Sequence, residues 1–382
     1  MGGARDTAGS DGRGGGGRRR RAYIGSFTTG GGLGITTATV DPATGALAPL
    51  GVTGGPPNPS CLVWDAGRGV LYAVSETDEG LVAAYRPTPE GLAAIGRPVA
   101  VGGSGPTHLS TADGRLLTAH YTSGSISSLP VGADGGPAGP ASVLAHHGSG
   151  PDRERQAGPH AHQVLPDPSG RWVLSVDLGT DSVRVCALDR ATGELRSHSE
   201  TVLRSGSGPR QLVFHPGGDV VYVVHELEPQ LTVCRWSAGS GRLDAVAEVP
   251  LRLAEPAGPP AGTGGAGAAV AASADTPALP REYPSVAVVS GDGRFVWAAV
   301  RGSDLVATLS LADGPEKPRL TDVAECGGNW PRDLVADPSG RRLYVSNEWS
   351  GDVTWFDADP LTGRLRRAGR LNVPAAACVV FD

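Results

Sequence analysis

The sequence predicts an all-β chain folded as a seven-bladed β-propeller. Three observations predict it: a repeat of about 47 residues, a four-strand pattern within each repeat, and one repeat divided between the two ends of the chain. A Gly-Arg turn, once Gly-Asp, follows each short apolar run, with its glycine at Gly67, Gly114, Gly170, Gly218, Gly293 and Gly340. The steps between them are 47, 56, 48, 75 and 47 residues. The two long steps contain a polar His/Gly/Arg stretch at 145–158 and an Ala/Gly/Pro-rich stretch at 254–280, and without these the period is nearly constant.

Each unit opens on a proline and a short strand, as in Pro59-Ser60-Cys61-Leu62-Val63, and passes through the Gly-Arg turn. A second strand ends in a polar or aromatic tip (Val70-Leu71-Tyr72-Ala73-Val74), and a third follows a polar turn (Val353-Thr354-Trp355-Phe356). The fourth often follows a Thr-Gly-x-Leu turn, as at Thr44-Gly45-Ala46-Leu47, Thr192-Gly193-Glu194-Leu195 and Thr362-Gly363-Arg364-Leu365. Four strands make one antiparallel blade. Six complete units begin near Pro59, Pro106, Pro159, Pro209, Pro284 and Pro331. The seventh is split: Tyr23-Ile24-Gly25 reads as a second strand without a first, and Pro374-Ala375-Ala376-Ala377-Cys378-Val379-Val380-Phe381-Asp382 supplies the missing one. The C-terminus is therefore expected to close the ring and remove an open sheet edge.

Composition fits that reading. Fifty-eight glycines and 32 prolines punctuate short apolar runs, as in a chain dominated by turns and strands. No apolar run approaches the roughly 20 residues of a membrane helix. The expected organisation is a disordered Gly/Arg-rich tail at 1–21, a propeller at 22–382, and a disordered insert at 254–280. The tail carries +4 of a total formal charge of −6, so the propeller carries −10 and is not a general nucleic-acid surface. The arginines Arg18, Arg19, Arg20 and Arg21 lack the apolar segment an export signal needs, since a strand-like run follows them at once. Five widely spaced cysteines with no CxxC pair indicate reduced thiols and a cytoplasmic protein.

In a propeller, one repeat position recurs around the mouth of the central channel, so residues distant in sequence converge there. Two positions are rich in chemistry. At the opening of the innermost strand stand Asn58, Thr107 with His108, His160 with His162, Arg210, Ser285 and Arg332. Four residues past the aromatic of the second strand stand Glu76, Glu226, Arg301 and Glu348, with His120-Tyr121 and Asp177-Leu178 in the corresponding stretches. Imidazoles, guanidinium groups and carboxylates converging on one mouth exceed what channel solvation needs. A lone His-x-His pair is weak evidence for a metal, and no metal or other cofactor is expected. There is no GxSxG nucleophile motif and no phosphate or dinucleotide fingerprint in a βαβ setting.

The segments Gly158-Pro159-His160-Ala161-His162-Gln163-Val164, Asp177-Leu178-Gly179-Thr180-Asp181, Gly208-Pro209-Arg210-Gln211-Leu212, Val224-His225-Glu226-Leu227 and Trp330-Pro331-Arg332-Asp333-Leu334, in this order, carry a family resemblance. They resemble the bacterial lactonase family of seven-bladed propellers, which includes 6-phosphogluconolactonases and a fungal carboxymuconate cycloisomerase. The resemblance spans 23–382 apart from the insert, and implies a catalytic set of His160 or His162, Arg210, Glu226 and Arg301. His225 and Val300 stand where that family usually has Asn, and Ala112-Asp113 replaces its usual Asp-Pro.

The implied activity is hydrolysis of a sugar lactone, with water activation near Glu226, an arginine facing the oxyanion, and His160 or His162 protonating the leaving oxygen. Arg332, Glu348, Glu76 and His108 are the expected substrate-binding residues. The expected partner is a small anionic lactone, with neither nucleic acid nor membrane, and the chain is expected to be a monomer or homodimer. Three other readings share the ring: a cycloisomerase that moves a proton within carboxymuconate, a metal-dependent hydrolase or lyase, and a non-catalytic interaction scaffold.

Overall fold

The structure, a computed structural model, describes residues 20–252 and 281–382. The expected disordered insert and almost all of the expected tail lie outside the described residues. The tail boundary shifts slightly, because Arg21 already belongs to the strand Arg21–Ser26 and its N–H donates to Asp382 Oδ1 at 2.7 Å.

Seven antiparallel sheets, each built on four strands, form the ring. Their innermost strands are Ala376–Phe381 (blade one), Leu62–Asp65 (two), Pro106–Ala112 (three), Ala161–Pro166 (four), Pro209–Phe214 (five), Tyr283–Val289 (six) and Pro331–Ala336 (seven). Blade one is closed as the split repeat predicts, with Ala376–Phe381 antiparallel to Arg21–Ser26 and Ala22 opposite Phe381. Blade two differs from the template: its outer edge is broken into Leu92–Ala94 and Val99–Ala100, both paired to Leu81–Pro87.

Burial explains the hydrophobic pattern. Second strands such as Val70–Ser75, Val220–His225 and Phe295–Arg301 are buried at every residue, because each blade is covered on both faces by its neighbours. Outer strands such as Leu195–Val202 face water and show exposed positions along most of their length. Among the described residues the core divides into seven apolar clusters, each joining adjacent blades; Tyr222 and Val224 of blade five, for instance, meet Ala298 and Val300 of blade six. The Thr-Gly-x-Leu turns have a physical cause. Asp41, Asp189 and Asp359 each accept from two backbone N–H groups of the turn, and Gly45, Gly193 and Gly363 take φ values of +72°, +80° and +72°, open to glycine at no steric cost.

Three histidines are built into the blades as neutral groups. Burial pushes His108 and His120 down to about 4 and His225 to about 3, helped by Arg210, His146 and Arg204 respectively. The folded state therefore binds these protons less readily than the unfolded chain. Stability is full above the ordinary histidine pKa of about 6.5, falls as pH drops below it, and levels off once the folded values are passed, at a cost on the order of 3 kcal/mol per histidine. We expect Tm to fall steeply between pH 6.5 and 4.5, and the variant carrying both His120→Asn and His225→Asn to show a shallower fall. An unchanged slope in that variant would assign acid sensitivity to other groups.

Candidate active site

The site begins with a backbone irregularity. Six inner strands slip by one residue against their second strands near the mouth, leaving Thr107, His162, Arg210, Ser285, Arg332 and Ala377 without a pairing partner. Ser60 holds the matching position in blade two. A β-bulge of this kind re-aims its extra residue, and Ser60, Thr107, His162, Arg210, Arg332 and Ala377 all line the channel, a cavity of about 300 Å³ suited to one small molecule.

The bulge corrects one sequence expectation and narrows another. Ser60 rather than Asn58 joins the ring; Asn58, at φ +54°, accepts hydrogen bonds from Thr28 Oγ1 and Thr29 N instead. His162, not His160, lines the channel. His160 sits two residues earlier, stacked on Tyr121 with ring centroids 4.4 Å apart and its Nδ1 bonded to the Tyr121 carbonyl at 2.7 Å.

The residue after the bulge ties one blade to the next. Gln163 Oε1 accepts from Leu212 N at 2.7 Å, Gln211 Oε1 from Ala287 N at 3.0 Å, and Asp333 Oδ2 from Val379 N at 3.0 Å. His108, an expected substrate ligand, occupies this position, and its Nδ1 accepts a long bond of 3.5 Å from Val164 N. Its neutral imidazole thus serves as an inter-blade acceptor on the channel wall.

Second strands run back to the same mouth, where Arg301 ends its strand and Phe27, Glu76, Tyr121, Leu178, Glu226 and Glu348 stand one residue past theirs. The two rings interlock. Glu226 Oε2 accepts from Arg301 Nη2 at 2.8 Å and lies 3.0 Å from Arg210 Nε, an ion pair without hydrogen-bond alignment. Glu226 Oε1 pairs with Arg155 Nη2. Arg301 is fixed by donation to the Tyr283 and Pro284 carbonyls, and Arg210 by donation to the Ser285 carbonyl. Arg210, Glu226 and Arg301 are all buried, a costly state for ions unless each is paired. Burial alone would raise the Glu226 carboxyl, but Arg301, Arg210, His162 and Arg155 outweigh it and hold the group well below its ordinary range. Burial and the neighbouring Arg301 push Arg210 down to about 9, which leaves it charged at neutral pH. His162, packed edge-on to Tyr121 at 5.8 Å, is driven well below 6.5 by burial and by Arg210, and is neutral.

Across the mouth, Arg332 lies 3.3 Å from Glu348 and 3.6 Å from Glu76, with its guanidinium 4.5 Å from the Phe27 ring centroid, and Ser60 Oγ donates to Glu76. The mouth is therefore polarised. Three arginines surround one carboxylate on one side, and two carboxylates share one arginine on the other.

The structure thus brings His162, Arg210, Glu226 and Arg301 together as expected positions of one mouth, with Arg332, Glu76 and Glu348 facing them. Sequence reasoning missed Arg155. It lies in the stretch 145–158, set aside as an excursion from the repeat. The signal was available: inner strands start at the mouth, so the excess between the outer strand Ser142–Ala145 and the inner strand Ala161–Pro166 lies over it. The residues before Glu226 and Glu348 also compare directly. Asn347 Nδ2 donates to Asp352 and Thr354, and in blade five His225 Nε2 bonds Thr232 Oγ1 at 2.7 Å in the same place. Among the described residues no group of three or more His, Cys, Asp or Glu side chains is arranged to hold a metal ion, and no helix is long and apolar enough to cross a membrane.

Comparison with known proteins agrees with this architecture. The family described as "Lactonase, 7-bladed beta-propeller" matches residues 21–381. A 6-phosphogluconolactonase of Bacillus subtilis (strain 168) is 31% identical over 370 residues, covering 94% of this chain and 97% of the relative. Among solved structures, the periplasmic gluconolactonase of Pseudomonas aeruginosa superposes with a TM-score of 0.83 at 27% identity, covering 95% of this chain and 98% of its own. A Bacteroides fragilis NCTC 9343 protein, provisionally named a 6-phosphogluconolactonase, does so with a TM-score of 0.83 at 26% identity over 99% and 100% of the two chains.

Proposed function

Because the chain belongs to the lactonase family of seven-bladed β-propellers, we propose that it hydrolyses an anionic sugar lactone, with 6-phosphogluconolactone as the first choice of substrate. One observation carries the reading: Glu226 is held among Arg155, Arg210 and Arg301 beside a neutral His162 at the mouth of a small channel.

A lactone is an activated ester, so water can attack it without a covalent enzyme intermediate. In our scheme His162, being neutral, takes a proton from the attacking water as its oxygen bonds to the carbonyl carbon. Glu226 stabilises the resulting imidazolium, and Arg301 or Arg210 faces the oxyanion as charge builds there. Collapse of the tetrahedral intermediate breaks the ring C–O bond, and the imidazolium returns its proton to the leaving oxygen. The expected role of histidine as a leaving-group acid is kept, but the proton is borrowed from water, since burial disfavours a standing imidazolium. Glu76, Glu348 and Arg332 supply acceptors and donors for sugar hydroxyls across the mouth. The five cysteines are free, which supports the reducing environment of the cytoplasm; hydrolysis of 6-phosphogluconolactone there would be a step of the pentose phosphate pathway.

The test is a panel of lactones, including 6-phosphogluconolactone, glucono-δ-lactone and carboxymuconolactone, assayed with and without chelator against the spontaneous rate. We expect the largest kcat/KM for the phosphorylated lactone and no effect of chelator. Rates equal to buffer for every lactone would dismiss the assignment, and ring opening of carboxymuconolactone without uptake of water would redirect it to isomerisation.

A further inference from the structure

We propose that Arg155 is an anion-gated lock on Glu226: a phosphate monoester dianion on the substrate draws Arg155 away and frees Glu226 Oε1 for the reaction. The inference rests on the lactonase reading and adds a recognition residue and a coupling to it.

Three features set Arg155 apart from Arg210 and Arg301, the other two arginines around Glu226. The first is anchorage. Arg210 and Arg301 each donate to backbone carbonyls of Tyr283, Pro284 or Ser285, whereas among the described residues the Arg155 guanidinium bonds to the Glu226 carboxylate and, at 3.3 Å, to the Tyr121 hydroxyl, and to no backbone carbonyl. The second is access. The Arg155 side chain is 30% exposed, against 8% for Arg210 and 6% for Arg301, so it is the one an arriving ligand meets. The third is the stiffness of its base. Asp152 Oδ1 accepts from Glu154 N and Arg155 N at 3.0 and 3.1 Å, and the buried Gln156 donates to the Leu178 carbonyl at 2.9 Å and to Asp181 Oδ1 at 2.7 Å. A fixed backbone thus presents a side chain that is free to pivot.

The charges complete the argument. Three guanidinium groups against one carboxylate leave two positive charges uncompensated, matching a phosphate dianion, which arginine binds in bidentate fashion. The two carboxylate oxygens are divided among the described residues: Oε2 serves Arg210 and Arg301, and Oε1 serves Arg155. Loss of Arg155 to the substrate leaves Glu226 seated on Oε2 and exposes Oε1, where it can hold the attacking water or support the His162 imidazolium. Binding energy from a remote phosphate is then used at the reacting centre.

The experiment separates the phosphate from the lactone. Wild type and Arg155→Gln are assayed on glucono-δ-lactone with and without phosphite dianion, and on 6-phosphogluconolactone, with folding checked by Tm. For wild type we expect phosphite to accelerate glucono-δ-lactone hydrolysis by about tenfold or more. For Arg155→Gln we expect the basal glucono-δ-lactone rate to rise, phosphite activation to vanish, and kcat/KM on the phosphorylated lactone to fall by roughly 100-fold. Equal losses on both lactones, or phosphite activation that survives the substitution, would overturn the lock. If wild type turns over neither lactone, the lactonase reading fails on its own. Calorimetry with phosphite then decides for Arg155: binding to wild type that Arg155→Gln abolishes upholds the anion site, and no binding to wild type removes it.

Discussion

Replacing Arg210 with methionine is expected to lower kcat for lactone hydrolysis by about 10²–10³-fold, the usual cost of removing one hydrogen-bond donor from a developing oxyanion, while the protein stays folded. The fold should tolerate it because Glu226 keeps Arg301 and Arg155 as partners. Methionine also refills most of the space of the arginine stem on the channel wall. Glu226→Gln should cost a similar factor in kcat, since a neutral amide cannot stabilise an imidazolium at His162. Both Glu226 variants leave Arg210 and Arg301 buried without their shared counter-charge, a penalty of about 3–5 kcal/mol that the melts will show, but Glu226→Ala is the poorer probe because it also removes the acceptor and the side-chain volume. The two conservative variants act on one unit, so their combination should be little slower than either alone. Steady-state kinetics on 6-phosphogluconolactone, with thermal melts of each variant, checks all of this. Wild-type turnover in Arg210→Met would remove that arginine from the chemistry, and full additivity would show that Arg210 and Glu226 act separately.

Most of this site could be read in the sequence for one reason: a repeat converts distance along the chain into position around a ring. Arg210, Glu226, Arg301 and Arg332 were legible because each occupies a repeat position that the Gly-Arg turns locate to within a residue or two. What stayed hidden came from departures from the repeat. The inner-strand bulge inserts one unpaired residue, so simple alternation cannot choose between His160 and His162, nor between Asn58 and Ser60. Arg155 belongs to no strand at all, and only the loop anchored by Gln156 places it on Glu226. Protonation was hidden as well. Neutral His162 and ionised Glu226 follow from burial beside several arginines, a property of the assembled mouth that no local run of residues contains.

Removing residues 374–382 is expected to abolish the native state rather than trim it. Those residues give blade one its inner strand, and their loss strikes three features at once. The strand Arg21–Ser26 loses its partner from Ala22 opposite Phe381 to Ser26 opposite Ala376, and so presents a bare edge to other chains. Two apolar clusters lose members: Ala376 and Val379 pack with Val353 and Trp355 of blade seven, and Cys378 with Leu62 and Leu71 of blade two. The latch from Val379 N to Asp333 Oδ2 disappears, leaving a half-buried carboxylate on the channel wall without that donor. A ring opened at one blade exposes both of its broken faces, so the shortened chain should be recovered aggregated, or as a species without a cooperative melt. A permuted chain separates the loss of these residues from the loss of closure. If 374–382 are moved ahead of Arg20 through a short turn, blade one becomes one continuous sheet, and the existing bonds between Arg21 and Asp382 show that the junction is close. That permutant should fold and keep activity. Its Tm should be lower, because the strand no longer clasps the two chain ends together. A soluble truncated protein melting near the wild-type temperature would show instead that six blades and an open seventh suffice.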